Sequence, residues 1–164
     1  MGAVVRDAVP ADAQAIADIY NPYVTGSVAT FHTEPVDEAE RLQWLVGHDA
    51  LHPVLVAVCD EEVVGWGSLT QWASRPAWRR TVEVSTYVSL DHRGEGIGRL
   101  LMDALIERAS AAGHHVVMAQ VVAGNEASLA MGERTGFERV GLLKEVGHKF
   151  GAYHDIVLLQ RILP

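Results

Sequence analysis

The segment that most constrains this chain is Val88–Ser89–Leu90–Asp91–His92–Arg93–Gly94–Glu95–Gly96–Ile97–Gly98–Arg99–Leu100–Leu101. The residues leading into it, Thr81–Ser89, alternate. Val82, Val84, Thr86 and Val88 take one face and Glu83, Ser85 and Tyr87 the other, which is the period of a strand. The residues after it, from about Ile97 to Ala112, bring Leu100, Leu101, Ala104, Leu105 and Ala109 to one side at helical spacing, with Gly113 placed to end the helix. Between strand and helix lie Gly94, Gly96 and Gly98. Such a joint lets successive backbone N–H groups converge, because glycine takes conformations closed to other residues. The helix start adds unpaired amides and about half a positive charge, and Arg93 adds a full one. The combination predicts a pyrophosphate site. A dinucleotide fold would place this turn in an early strand–helix unit, with an acidic residue about 20 positions on. Here it lies past mid-chain, after three sequential strands, and no Gly-Lys-Ser/Thr follows it.

The rest of the chain reads as alternating elements. Val4–Arg6 is a short strand, and Pro10–Asp12 opens a helix through Ile16, Ile19 and Tyr20 that Asn21–Pro22 weakens or ends. Pro35–Val36–Asp37 starts a second helix through Leu42 and Leu45. Strands Pro53–Cys59 and Val63–Gln71 are joined by the turn Asp60–Glu61–Glu62, and a loop, Ala73–Arg80, leads to Thr81. After the Gly-rich joint and its helix come a strand Val116–Val122, a helix Glu126–Thr135, a strand Phe137–Val146 and a final strand His154–Ile162. The order β-α-α-β-β-β-α-β-α-β-β predicts a mixed α/β fold with a strand–helix–strand crossover in its second half. Without repeats or linkers, residues 1–164 read as a single domain.

Composition narrows the function classes. Apolar residues make up 49% of the chain, enough for one core without disulfides. With 13 basic against 21 acidic residues, nucleic acid is not expected as a partner. The one cysteine, Cys59, ends an apolar run and reads as a buried core residue, which fits a reducing, cytoplasmic compartment. No apolar run approaches the roughly 18–20 residues of a membrane span, so no membrane association is expected. The eight histidines show no ligand spacing, His114–His115 being adjacent at a helix end, so no metal is expected.

Arg-x-x-Gly-x-Gly after a strand, at Arg93, Gly96 and Gly98, resembles the coenzyme A pyrophosphate loop of GNAT acetyltransferases. Downstream, Asn125–Glu126–Ala127–Ser128 followed by Thr135–Gly136–Phe137 resembles that superfamily's second coenzyme-binding helix; Asn125 also reads as a helix N-cap, and both roles are compatible. The resemblance implies acetyl-CoA as cosubstrate. It also implies a central mixed, mostly antiparallel sheet of about six to seven strands flanked by about four helices. The implied coenzyme-binding set is Tyr87, Val88, Arg93, Gly94, Glu95, Gly96, Ile97, Gly98, Arg99, Asn125 and Ser128.

Three further segments narrow it. Phe31–His32–Thr33–Glu34–Pro35, Thr81–Val88 and Gly147–Asp155 resemble the phosphinothricin and methionine sulfone/sulfoximine N-acetyltransferases, a similarity running from about Val4 to Ile162. That family implies direct attack of a small-molecule amine on the thioester in a ternary complex, and a homodimer. Glu83 occupies its carboxylate position, which implies a general base acting directly or through a water; the other reading of Glu83 is a strand residue salt-bridged to Arg79 or Arg80. A backbone N–H near Val88 is implied as the oxyanion donor. For the acceptor the candidates are Phe31, Thr33, Trp72, Arg75, Arg79, Glu83 and Tyr153, with the arginines gripping a carboxylate or phosphinate.

One position departs from the pattern. Seven residues after Asn125, where many GNAT enzymes carry Tyr and the phosphinothricin type tends to carry His, this chain has Gly132. A water, Tyr87, Tyr153 or unassisted release must then serve the leaving thiolate. Two other readings stay open at this stage: a GNAT enzyme acting on a polyamine, a peptide N-terminus or a protein lysine, and a non-catalytic acetyl-CoA-binding module.

Overall fold

The computed structural model describes residues 2–164. Its strands are β1 (Val4–Asp7), β2 (Val54–Cys59), β3 (Glu62–Gln71), β4 (Thr81–Val88), β5 (Val116–Val122), β6 (Glu138–Lys149) and β7 (Ala152–Ile162). Its helices are α1 (Ala13–Gly26), α2 (Glu38–Val46), α3 (Ile97–Ala111) and α4 (Glu126–Arg134). The strands form one sheet in the order β1-β2-β3-β4-β5-β7-β6. β4 and β5 are parallel, joined by the α3 crossover, and every other pair is antiparallel. The mixed, mostly antiparallel sheet with four helices is the architecture expected.

Side-chain alternation divides the core into two layers. On one face α3 and α4 bury Ile97, Leu101, Leu105 and Leu129 against Leu55, Leu69, Val82, Val84 and Leu159. On the other, α1 and α2 bury Ile16, Tyr20, Val24 and Leu45 against Val54, Val56 and Trp66. Full burial of each such apolar side chain contributes about 1.5–3 kcal/mol. β3 changes phase within its length: Ala57 pairs with Gly65 and Val58 with Val63, leaving Val64 as a bulged residue. Val64 therefore joins the α3 layer and Trp66 the α1 layer.

Several details differ from the sequence expectation. Helix α1 runs through Pro22 to Gly26. The turn beyond the proline buries Tyr23 and Val24, and Asn21 exchanges hydrogen bonds with the Val36 backbone at 2.8 and 2.9 Å. Tertiary contacts thus outweigh the lost amide. In α2, Asp37 and Glu40 form a reciprocal capping box, but the buried pair is Arg41 and Leu45, with Leu42 turned outward. In α3 the buried stripe is Ile97, Leu101, Met102, Leu105, Ile106 and Ala109, and Leu100 faces solvent. Cys59 is half-buried at the end of β2. The segment before β4 contains a single helical turn, Pro76–Trp78. β6 continues past Val146 to Lys149, and β7 begins at Ala152, so Tyr153 lies within it. The expected break is absorbed by a bulge between Leu143 and Gly147, where Glu145 takes φ 54° and its amide donates to Asp155 Oδ1 at 2.7 Å.

Candidate active site

The site begins with a failure of strand pairing. β4 is bonded to β3 from Val82 to Val88, but to β5 only across Thr81–Glu83 and Val116–Met118. β5 is held by β7 along its whole length. Beyond Glu83 and Met118 the two parallel strands therefore splay, opening a gap in the middle of the sheet. Ser89 N–H donates to Val64 C=O on β3 at 2.8 Å. By strand alternation the Val88 N–H points the other way, into the gap. On the same side the Tyr23 hydroxyl donates to Val88 C=O at 2.5 Å.

The gap opens into a cavity of about 890 Å³ whose wall includes Val84–Val88, Arg93, Gly94 and Gly96–Gly98 of the turn, and Ala119–Asn125. Gly94 and Gly96 hold φ of 81° and 82°, the left-handed region that other side chains rarely enter. The first helical hydrogen bond runs from Leu100 N–H to Gly96 C=O at 3.0 Å, leaving the amides of residues 97–99 without intrahelical acceptors. Gly98 has a different reason: a Cβ there would lie 3.2 Å from Met131 Sδ on α4. Arg93 stands with its guanidinium carbon 5.2 Å from the Tyr23 ring centre. The wall carries Arg93, Arg99 and Arg134 and no carboxylate among the described residues, although the chain holds 21 acidic side chains. Amides, helix start and three guanidiniums fit a polyanionic ligand such as a diphosphate.

Asn125 caps α4 by accepting from Ser128 N–H at 3.3 Å, and both residues line the cavity. Gly132 also lines it, and a Cβ there would lie 2.5 Å from Leu159 Cδ1. Leu159 thus fills the space a side chain at 132 would need. Glu95 lies outside the wall, its carboxylate bound to His92 Nδ1 at 3.1 Å. Ile97 is buried in the core but touches the cavity. Arg99 lines it while pairing with Asp103 at 3.5 Å.

On the opposite side of the gap lies a smaller cavity, about 250 Å³, walled by Tyr20, Val28, Ala29, Thr30, Phe31, Glu83, Ser85, Tyr87, Gln120, Val122 and Ile156. It shares Val28, Ala29, Ser85, Tyr87, Gln120 and Val122 with the larger one, so the two form a continuous cleft through the sheet. Gln120 Nε2 donates to Glu83 Oε1 at 3.1 Å. Burial pushes the Glu83 carboxyl above the usual carboxylate range, partly offset by that hydrogen bond. Glu83 forms no ion pair with Arg79 or Arg80. Burial likewise pushes the Tyr87 phenol up, so it is protonated at neutral pH.

The structure brings Phe31, Glu83, Tyr87, Val88, Arg93, Asn125 and Ser128 to this cleft. It leaves Thr33, Trp72, Arg75, Arg79 and Tyr153 outside both walls; of these only Trp72 is half-buried and the rest are exposed. Tyr153 stacks on His148, ring centres 4.9 Å apart. Tyr20, Tyr23, Gln120 and Arg134 are wall residues that sequence reasoning missed. Gln120 had a signal, being the one polar residue of Val116–Val122. Tyr20 reads only as part of an apolar helix stripe, and Tyr23 lies beyond Asn21–Pro22, where the sequence weakens or ends that helix.

The acetyltransferase (GNAT) family profile matches residues 13–137. The chain belongs to the GNAT family. An L-methionine sulfoximine/L-methionine sulfone acetyltransferase of Pseudomonas paraeruginosa is 42% identical over 162 residues, covering 98% of this chain and 94% of that one. A phosphinothricin N-acetyltransferase of Streptomyces coelicolor is 36% identical, with 97% and 95% covered. A crystal structure of a GNAT phosphinothricin acetyltransferase from Sinorhizobium meliloti in complex with AcCoA superposes with a TM-score of 0.92 at 36% identity, covering 99% of this chain and 89% of that one. As a GNAT acetyltransferase, this chain places its Gly-rich turn at the N-terminus of α3 and its splayed strands at β4 and β5.

Proposed function

We propose that this GNAT enzyme transfers the acetyl group of acetyl-CoA to the primary amine of a small amino-acid-like acceptor of the methionine sulfone, methionine sulfoximine or phosphinothricin type, with both substrates bound at once. The observation that carries this reading is the continuous cleft: a cationic wall on one side of the β4–β5 gap and a small cavity with a half-buried carboxylate on the other. The names of the relatives support the acceptor class.

Arg93 and the amides of residues 94–98 would hold the diphosphate of the cosubstrate, with Asn125 and Ser128 along its arm. Acetyl-CoA supplies the activated acyl group. Glu83, whose carboxyl burial pushes above the usual carboxylate range, accepts the proton of the amine in its carboxylate form, directly or through a water. The Val88 N–H holds the charge that develops on the acyl oxygen, a role commonly worth about 3–4 kcal/mol. Gly132 offers no proton to the departing sulfur. Of the two phenols considered for that task, Tyr87 lies where the cavities meet and Tyr153 lies outside them, which favours Tyr87.

A homodimer in the cytoplasm completes the reading. Val140, Leu142, Leu143 and Val146 of edge strand β6 are exposed and offer apolar contacts for a second copy. Thr33, Arg75, Arg79 and Tyr153 lie outside both cavity walls and take no part in gripping the acceptor in this reading. No described helix is long and apolar enough to cross a membrane.

The test is thiol release from acetyl-CoA with a panel of amines. Turnover of methionine sulfone, methionine sulfoximine or phosphinothricin, with weaker turnover of polyamines and peptides, is expected. Turnover confined to polyamines or peptides overturns the acceptor class, and tight acetyl-CoA binding with no turnover on any amine overturns catalysis.

A further inference from the structure

Of β6, only Gly147 and Lys149 are buried, and both contact the segment Ser27–Phe31, of which Val28–Phe31 wall the smaller cavity. Lys149 is 4% exposed and donates to Ser27 C=O at 2.7 Å and Thr30 C=O at 2.8 Å. Its ammonium has no carboxylate in an ion pair among the described residues. A buried cation committed to two loop carbonyls fixes that loop against β6 at a desolvation cost. Phe31 follows directly, and its ring lies on Gly147. A Cβ at position 147 would sit 2.2 Å from Cε2, 2.3 Å from Cζ and 2.8 Å from Cδ2 of that ring. Gly147 has no left-handed φ, so its backbone would accept alanine. The three atoms nearest to such a Cβ all belong to the ring. His154, which pairs with Gly147 across β7, bounds the ring at 6.3 Å between centres.

We infer that Gly147 is a positioning residue for acceptor selection: by lacking a side chain it seats Phe31 against β6, and so sets the room left in the smaller cavity for the acceptor's side chain. With Lys149 holding the loop on one side and His154 flanking the ring, a methyl group at 147 drives the ring toward the cavity it walls. Long acceptor side chains are then excluded before short ones. This rests on the reading of the smaller cavity as the acceptor site.

The experiment is a double-mutant cycle of Gly147→Ala and Phe31→Ala, with KM measured separately for methionine sulfone, for a shorter amino acid and for acetyl-CoA. Gly147→Ala should raise KM for methionine sulfone about tenfold or more, the scale of a methylene in a tight pocket. The rise should be smaller for the shorter acceptor, with KM for acetyl-CoA within about twofold. In the Phe31→Ala background, Gly147→Ala should add less than about twofold, because no ring remains to meet. An unchanged KM in Gly147→Ala, parallel changes for both substrates, or full additivity overturns the inference. So does a double variant that fails to fold, since removing the ring removes the clash. Wild-type turnover of other amines alone, with the same coupling on those amines, overturns the acceptor class and retains the role of Gly147. No turnover on any amine overturns both.

Discussion

Gln120 Nε2 reaches Glu83 Oε1 at 3.1 Å across the place where β4 and β5 part. Glu83 is the last residue of β4 paired to β5, opposite Met118, and Gln120 lies two residues further along β5. The amide donates to the carboxylate and so favours its ionised form, against the burial that favours the neutral one. A base used as the carboxylate loses activity as pH falls through its raised pKa. Glu83→Gln should lower kcat about 10²- to 10⁴-fold and flatten the acid limb of kcat/KM, with acetyl-CoA affinity little changed. Gln120→Leu should move that limb to higher pH. Steady-state rates across pH check both; an acid limb unmoved by either change removes Glu83 from the proton transfer.

Arg93 adds the full charge at the Gly-rich turn and stands against Tyr23. Its contact with an anion belongs to the charge-assisted class. Arg93→Ala should weaken acetyl-CoA binding about 10- to 100-fold. The difference should shrink as salt is raised. Titration calorimetry at two ionic strengths measures this, and equal affinity in wild type and variant would argue against a diphosphate at that turn.

Gly132 and Leu159 share one space. Leu159 is 1% exposed, so a Cβ 2.5 Å from its Cδ1 has nowhere easy to push it. Gly132→Ala should destabilise by about 1–3 kcal/mol, the range of overpacked cores. Combined with Leu159→Ala, the two losses should be less than additive. Denaturant melts of the four proteins decide it, and simple additivity would show that the two positions do not compete.

Asp12 is 6% exposed, accepts from Arg6 at 2.7 and 2.9 Å and from Val9 N–H at 2.8 Å, and so ties β1 to the start of α1. The Arg6 guanidinium holds its carboxyl below the usual range. A depressed folded pKa stabilises above the unfolded value of about 3.9, and that stability fades as pH falls through the depressed one. Asp12→Asn should cost about 1–2 kcal/mol at pH 7, discounted for the half-exposed Arg6. Thermal melts should show the gap between wild type and variant narrowing in acid below the carboxylate range. A gap constant with pH would assign the loss to packing instead.

Patterns that depend on neighbours along the chain were legible in the sequence. The period of Thr81–Val88 put Glu83, Ser85 and Tyr87 on one face, and the glycines at 94 and 96 marked the turn, because strand alternation and left-handed backbone are local properties. The helix start at Pro35–Val36–Asp37 and the capping role of Asn125 were local too. What the tertiary structure decided were contacts between residues far apart in the chain. β5 stays paired to β7 along its length but leaves β4 after Glu83 and Met118, which opens the gap that makes a cleft. Gln120 becomes the partner of Glu83 across 37 residues, and Leu159 takes the room at Gly132. Helix α1 outlasts Pro22 because Tyr23 finds Val88 65 residues away. A single sequence carries no record of such meetings, since each depends on how two separately formed elements pack and not on the preferences of either.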